Sequence, residues 1–165
     1  MKALIVCESW FGNAYTVAEH ISQGLGAQKI DTAIVRAQDA PDVVGVEYDL
    51  LIVGAPTHGG GLSTPSTRAD AMNEGGDTGD MGVSEWLDTV TIAESVNVAA
   101  FTTMVDDSDT DQTAAHAIAI RISERFPGKF VELNRFLVEE SHGPLAFGEG
   151  EAAGTWGHSL ANSLY

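Results

Sequence analysis

Basic residues are scarce in this chain. Its 165 residues include 8 Lys and Arg against 24 Asp and Glu, a formal charge of −16 at pH 7. Nucleic acid and anionic membrane both select for a basic face, so neither is expected as a partner. An acidic surface suits solubility, high salt or a basic partner protein. There is one cysteine, so no internal disulfide can form. Cys7 ends an apolar run and reads as a small buried hydrophobe, since a redox thiol needs an exposed, electropositive setting. No apolar run approaches the length of a bilayer span, and the chain opens on a strand pattern instead of a leader. These absences lead us to expect a cytoplasmic protein folded as one domain over residues 1–165. Metal patterns are missing too. No Cys/His spacing fits zinc. Asp107, Asp109 and Asp111 imitate the start of a calcium loop, but Gln112 stands where the turn needs Gly and Ile118 where a carboxylate must close the site. Nothing places Ser, His and Asp together, so neither a catalytic side chain nor a metal is expected.

What is present is organised around Ala3–Gly24. Ala3 to Cys7 is unbroken and apolar, as in a parallel strand covered on both faces. Glu8 to Asn13 turns the chain, and then Ala14, Val17, Ala18, Ile21 and Leu25 fall on one helical stripe. Such a turn gathers free amides and the positive end of a helix dipole, which suits an anion. No Lys or Arg occurs from Ala3 to Gln28, so an anion here is held by amides, hydroxyls and the dipole. The nucleoside-triphosphatase loop and the dinucleotide glycine spacing are both missing, which leaves a small phosphomonoester.

Strands continue to alternate with helices. Ile30–Val35 reads as an edge strand, Leu50–Val53 and Val96–Phe101 as buried ones, and Phe130–Val138 as one with alternating faces. Thr64 and Pro65 start a helix as N-cap and first residue. Glu74–Gly82 reads as a flexible connector, and Ser84 as the cap before Trp86, Leu87 and Val90. Asp109 or Thr110 reads as the cap of a helix carrying Ala115, Ile118, Ile122 and Phe126. A last helix carries Ala153, Trp156, Gly157, Leu160, Ala161 and Leu164. The four other than His58 among the five histidines, His20, His116, His142 and His158, read as surface residues. The pattern predicts an α/β fold with a doubly wound parallel sheet and helices on both faces.

Ser9-Trp10-Phe11-Gly12-Asn13-Ala14 resembles the FMN phosphate loop of flavodoxins, with Ala14 in place of the family's last threonine. Gly54-Ala55-Pro56-Thr57-His58 and Gly143-Pro144-Leu145 with Gly148-Glu149 are similar to small bacterial members of that family, and the likeness runs the whole chain. It implies five strands in the order 2-1-3-4-5, of the short-chain type. It implies FMN as cofactor, with Ser9, Gly12 and Asn13 on the phosphate and Trp10, Phe11 and Ala14 on the same loop. Pro56, Thr57, His58, Gly59, Gly60 and Gly61 would approach the flavin ring, and Thr102, Thr103 and Met104 its other edge. The Trp and Tyr that sandwich the ring in many flavodoxins have no counterpart in these two loops. The implied role is single-electron shuttling between redox partners, basic proteins (a reductase and an acceptor) that dock on the acidic surface of a monomer or weak dimer. The alternative is an FMN-dependent NAD(P)H:quinone or azo reductase on the same fold. A third is a binding or signalling module that has lost the cofactor.

Overall fold

The computed structural model describes residues 1–57, 61–105 and 112–165. Five strands make one parallel sheet: β1 (Lys2–Cys7), β2 (Asp31–Arg36), β4 (Leu50–Pro56), β6 (Asn97–Met104) and β7 (Val131–Leu137). Their order is β2-β1-β4-β6-β7. Counting these five alone, that is 2-1-3-4-5, as the resemblance implies. The other two strands, β3 (Val43–Val44) and β5 (Thr91–Ile92), pair with each other in a short parallel ladder.

The unbroken apolar runs are central strands because both faces are covered. Along β1, Leu4 and Val6 face one core while Ala3, Ile5 and Cys7 face the other. Along β4, Leu51, Val53 and Ala55 alternate in the same way with Leu50 and Ile52. The second of these cores is closed by α1 (Asn13–Ala27) and α5 (Glu149–Ser163), the first by α3 (Val83–Thr89) and α4 (Ala114–Arg125). The α1 stripe is buried at the five positions expected, and α5 buries Ala153, Trp156, Gly157, Leu160 and Ala161, leaving Leu164 half-buried. On β7 the faces separate as read: Val131 and Leu133 pack on the α3/α4 side, while Glu132 accepts from the Trp156 indole N–H at 2.8 Å.

Thr64 caps α2 (Pro65–Asn73) in a capping box with Thr67, and Pro65 opens the helix. Two other caps differ from the sequence reading. Helix α4 is capped by Thr113, whose hydroxyl accepts from the His116 amide at 3.3 Å, and Asp109 and Thr110 lie outside the described residues. Ser84 lies inside α3, where Arg121 donates to its hydroxyl and its carbonyl. The first α3 amides are met by carboxylates instead: Gly82 N–H by Glu85 and Val83 N–H by Glu8. Nor is Glu74–Gly82 a loose connector. Its Asp77 amide donates to the Trp10 carbonyl, its Asp77 carboxylate pairs with Arg36 at 3.2 Å, and its Asp80 amide donates to Gln38.

Candidate functional site

The carboxyl ends of β1, β4 and β6 open onto a cavity of about 260 Å³. In a doubly wound sheet this is where ligands bind, at the point where strand order reverses. Of the residues proposed from sequence, Ser9, Trp10, Phe11, Asn13, Ala14, Pro56, Thr57, Thr103 and Met104 line it. Val105, in the stretch after the fourth strand expected to form this wall, completes the described lining together with Val138 and Ser141, which were not anticipated. None of these side chains carries a charge. In a chain of formal charge −16 an uncharged set of described lining residues adds no repulsion of its own to a bound anion.

The turn from β1 into α1 borders this cavity. Gly12 is the N-cap of α1 at φ 93°, a left-handed conformation that costs glycine nothing and lets the loop turn directly into the helix. The amides of Phe11, Gly12, Asn13 and Ala14 have no acceptor among the described residues. No acidic residue stands in the first turn of α1 to compete for them. The Ser9 hydroxyl accepts the Tyr15 amide at 3.3 Å, so that amide is already engaged while the hydroxyl proton stays available. Amides at the start of a 15-residue helix, two short polar side chains and no cation among the described residues make a donor set chemically suited to an anion.

Three expected residues play other parts. Thr102 is fully buried, its hydroxyl 2.6 Å from that of Thr57 and donating to the Thr103 carbonyl, so it does not reach the cavity. Thr57 is a joint: its hydroxyl also accepts the Ala114 amide at 3.0 Å, and its own amide donates to the Thr103 carbonyl at 2.9 Å. Trp10 is buried, with its indole N–H turned inward onto Glu8 at 2.8 Å, so it props the loop from below. Gly61 is half-buried and outside the described lining, and His58, Gly59 and Gly60 lie outside the described residues.

A second cavity of about 520 Å³ lies across the loop, lined by Gly12, Tyr15, Arg36, Asp77 and His142 among others. His142 stacks on Phe11 with ring centroids 3.9 Å apart, so it belongs to the site's rim. Cys7 also lines this cavity, but burial and then the neighbouring Glu8 charge push its thiol far above the ordinary range. It is no nucleophile.

Beneath the loop sits a buried polar cluster that the sequence reading did not find. Glu8 is 3% exposed and accepts from Trp10 Nε1 and from the Val83 amide, each at 2.8 Å. Arg68, also buried, donates to the Ser63 hydroxyl at 2.7 Å and pairs with Glu85. Burial works to raise the Glu85 carboxyl, but the Arg68 hydrogen bond, the backbone amides and the Arg68 charge outweigh it and hold the group below its ordinary value. A lowered carboxyl stabilises the fold above its unfolded-state value and loses that contribution as pH falls through the folded one. Urea midpoints should therefore fall between neutral pH and the acid side of the carboxylate range less steeply for Glu85→Gln than for the parent. Parallel curves would remove the pair from the acid response.

No protein-family model and no curated protein matches the sequence. Solved structures do. A flavodoxin from the domain Archaea is 20% identical with a TM-score of 0.63, each chain covering 99% of the other. Oxidised flavodoxin 1 from Bacillus cereus is 18% identical with a TM-score of 0.67 over 100% of both chains. The chain has the flavodoxin fold. Two-electron reduced flavodoxin of Megasphaera elsdenii is a further neighbour, 18% identical with a TM-score of 0.58, over 95% of this chain and 98% of that one. At such identities the likeness speaks for the flavodoxin fold, and the argument for a ligand rests on the cavity. Among the described residues, no helix is long and apolar enough to cross a membrane and no His, Cys, Asp or Glu group could hold a metal.

Proposed function

We propose that this chain is an FMN-binding electron carrier of flavodoxin type. The observation that carries the reading is the cavity at the start of α1: no described side chain lining it is charged, Ser9, Asn13 and Ala14 are among its walls, and the adjoining amides of Phe11, Gly12, Asn13 and Ala14 have no acceptor among the described residues. Those groups suit the phosphate of FMN by number and chemistry. Pro56, Met104, Val105 and Val138 offer apolar wall beside them for the remainder of the cofactor. FMN supplies the redox chemistry when bound, and the protein's part is to hold the phosphate, orient the ring and set its exposure. The acidic surface supports basic redox proteins as partners, a reductase and an acceptor, with association that weakens as salt is added.

The test is a titration of the purified protein with FMN and riboflavin. FMN should bind at least about a hundredfold tighter, since several charge-assisted bonds to the phosphate disappear with it. Equal affinities would overturn the phosphate-loop reading. Unaided turnover of NAD(P)H with a quinone would replace the carrier with a reductase on the same fold.

A further inference from the structure

We propose that Ser141 is a phosphate-binding residue of this site, supplying a hydroxyl from the hairpin after β7 that packs on the α1 loop. The proposal rests on the FMN reading above and adds a donor which that reading does not contain. The short turn after β7 runs back over the cavity as a hairpin. Val138 bridges Leu145, the Glu139 amide donates to the Pro144 carbonyl at 2.9 Å, and the Gly143 amide donates to the Glu140 carbonyl at 2.9 Å. Two contacts lock this hairpin onto the phosphate loop. His142 stacks on Phe11, and Gly143 packs so closely against the Asn13 side-chain amide that a Cβ there would collide with Asn13 Oδ1. A third tie, from His142 Nε2 to Glu74 at 3.3 Å, joins it to the end of α2.

The lock brings Ser141 into the same cavity as Ser9, Asn13 and Ala14. The side-chain donors around that cavity divide into those already engaged and those still available. The Trp10 indole N–H is given to Glu8, and the Thr57 hydroxyl is held between Thr102 and the Ala114 amide. Ala14, in the first turn of α1, contributes no donor beyond its amide. The Ser141 hydroxyl has no partner among the described residues, and it comes from a different segment of the chain than the amides. A phosphate has more acceptor positions than one helix end can reach, and no Lys or Arg lines the cavity to take the rest. A hydroxyl from the neighbouring hairpin fits that requirement.

The test compares FMN with riboflavin on the full chain, in the parent, Ser141→Ala, Ser141→Thr and Ser141→Ala with Ala14→Thr. Ser141→Ala should weaken FMN about tenfold or more and leave riboflavin and the melting temperature unchanged, because a hydrogen bond to a charged acceptor is lost only when the phosphate is present. Ser141→Thr should keep the parent affinity. Ala14→Thr should restore part of the loss by placing a hydroxyl in the same cavity from the helix side. Equal loss for FMN and riboflavin would show that Ser141 only shapes the hairpin, and would overturn the proposal. So would an unchanged FMN affinity in a parent that discriminates against riboflavin, a result that leaves the FMN reading standing. A parent without that discrimination overturns the FMN reading itself, and this proposal with it.

Discussion

Glu8→Ala should destabilise the protein by about 3 kcal/mol, since each buried donor deprived of its acceptor costs about 1–3 kcal/mol. Glu8 is the first residue past β1 and 3% exposed, and its two carboxylate oxygens serve the Trp10 indole and the Val83 amide. Removing it takes the acceptor from both and takes a negative charge from beside the buried Arg68, whose Nη1 and Glu8 Oε1 both crowd the space a Cβ on Gly82 would fill. In a domain of this size the loss corresponds to a fall in melting temperature of roughly 6–12 °C. FMN affinity should fall too, since Trp10 lies in the loop whose amides face the cavity. Glu8→Gln should cost less, because its one remaining carbonyl oxygen can serve one donor while its NH2 confronts the other. Urea unfolding of the three proteins at neutral pH measures this. A Glu8→Ala variant within about 1 kcal/mol of the parent would mean that the cluster does not hold the loop.

Glu8 also marks what the sequence made legible and what it hid. The sheet could be read because its signals are local. An apolar run such as Leu50–Val53 can only be a covered strand, and a stripe such as Ala14, Val17, Ala18, Ile21 and Leu25 has one way to be buried. The turn from β1 into α1 could be read for the same reason, as strand end and helix start are adjacent in the chain. A carboxylate just after a strand reads as solvated turn chemistry, and nothing near Glu8 announces a partner 75 residues away. Ser84 misled for a related reason: the helix has already begun at Val83, whose amide donates to that distant carboxylate, so Ser84 lies inside it. The Glu74–Gly82 stretch misled by composition. Its glycines and aspartates suggest freedom, yet Trp10, Arg36 and Gln38 tie it down from three directions. Ser141 and His142 belong to the same class, since only the hairpin's return over Phe11 and Asn13 makes them part of the site. Thr102 shows the converse: it belongs to β6 and not to the loop after it, and its buried hydroxyl is spent on Thr57 and the Thr103 carbonyl.

Two glycines of one helix should respond to the same substitution with opposite signs. Helix α1 packs against α5 where both lack side chains: a Cβ on Gly24 would run into the Gly154 carbonyl oxygen and lie 2.9 Å from the His158 amide nitrogen. From the other side, a Cβ on Gly157 would run into the Ile21 carbonyl oxygen. These obstacles are backbone, so neither helix can yield by turning a rotamer. Gly24→Ala must push the helices apart across a core that holds Ile21, Leu25, Ala153 and Leu160, and overpacking of this kind costs about 1–3 kcal/mol. At Gly26 a Cβ meets nothing within 4 Å. There alanine should stabilise by roughly 0.5–1 kcal/mol, through the lower entropy of the unfolded chain and the better helix propensity. The two sites also differ in their reach toward the cavity. Helix α1 carries the Asn13 and Ala14 amides at its other end, so displacing it from α5 should weaken FMN binding, whereas Gly26→Ala should leave binding as in the parent. Chemical unfolding together with FMN titration reads both effects. If the two variants shift stability in the same direction, the close approach of α1 and α5 is not what fixes the position of the phosphate loop.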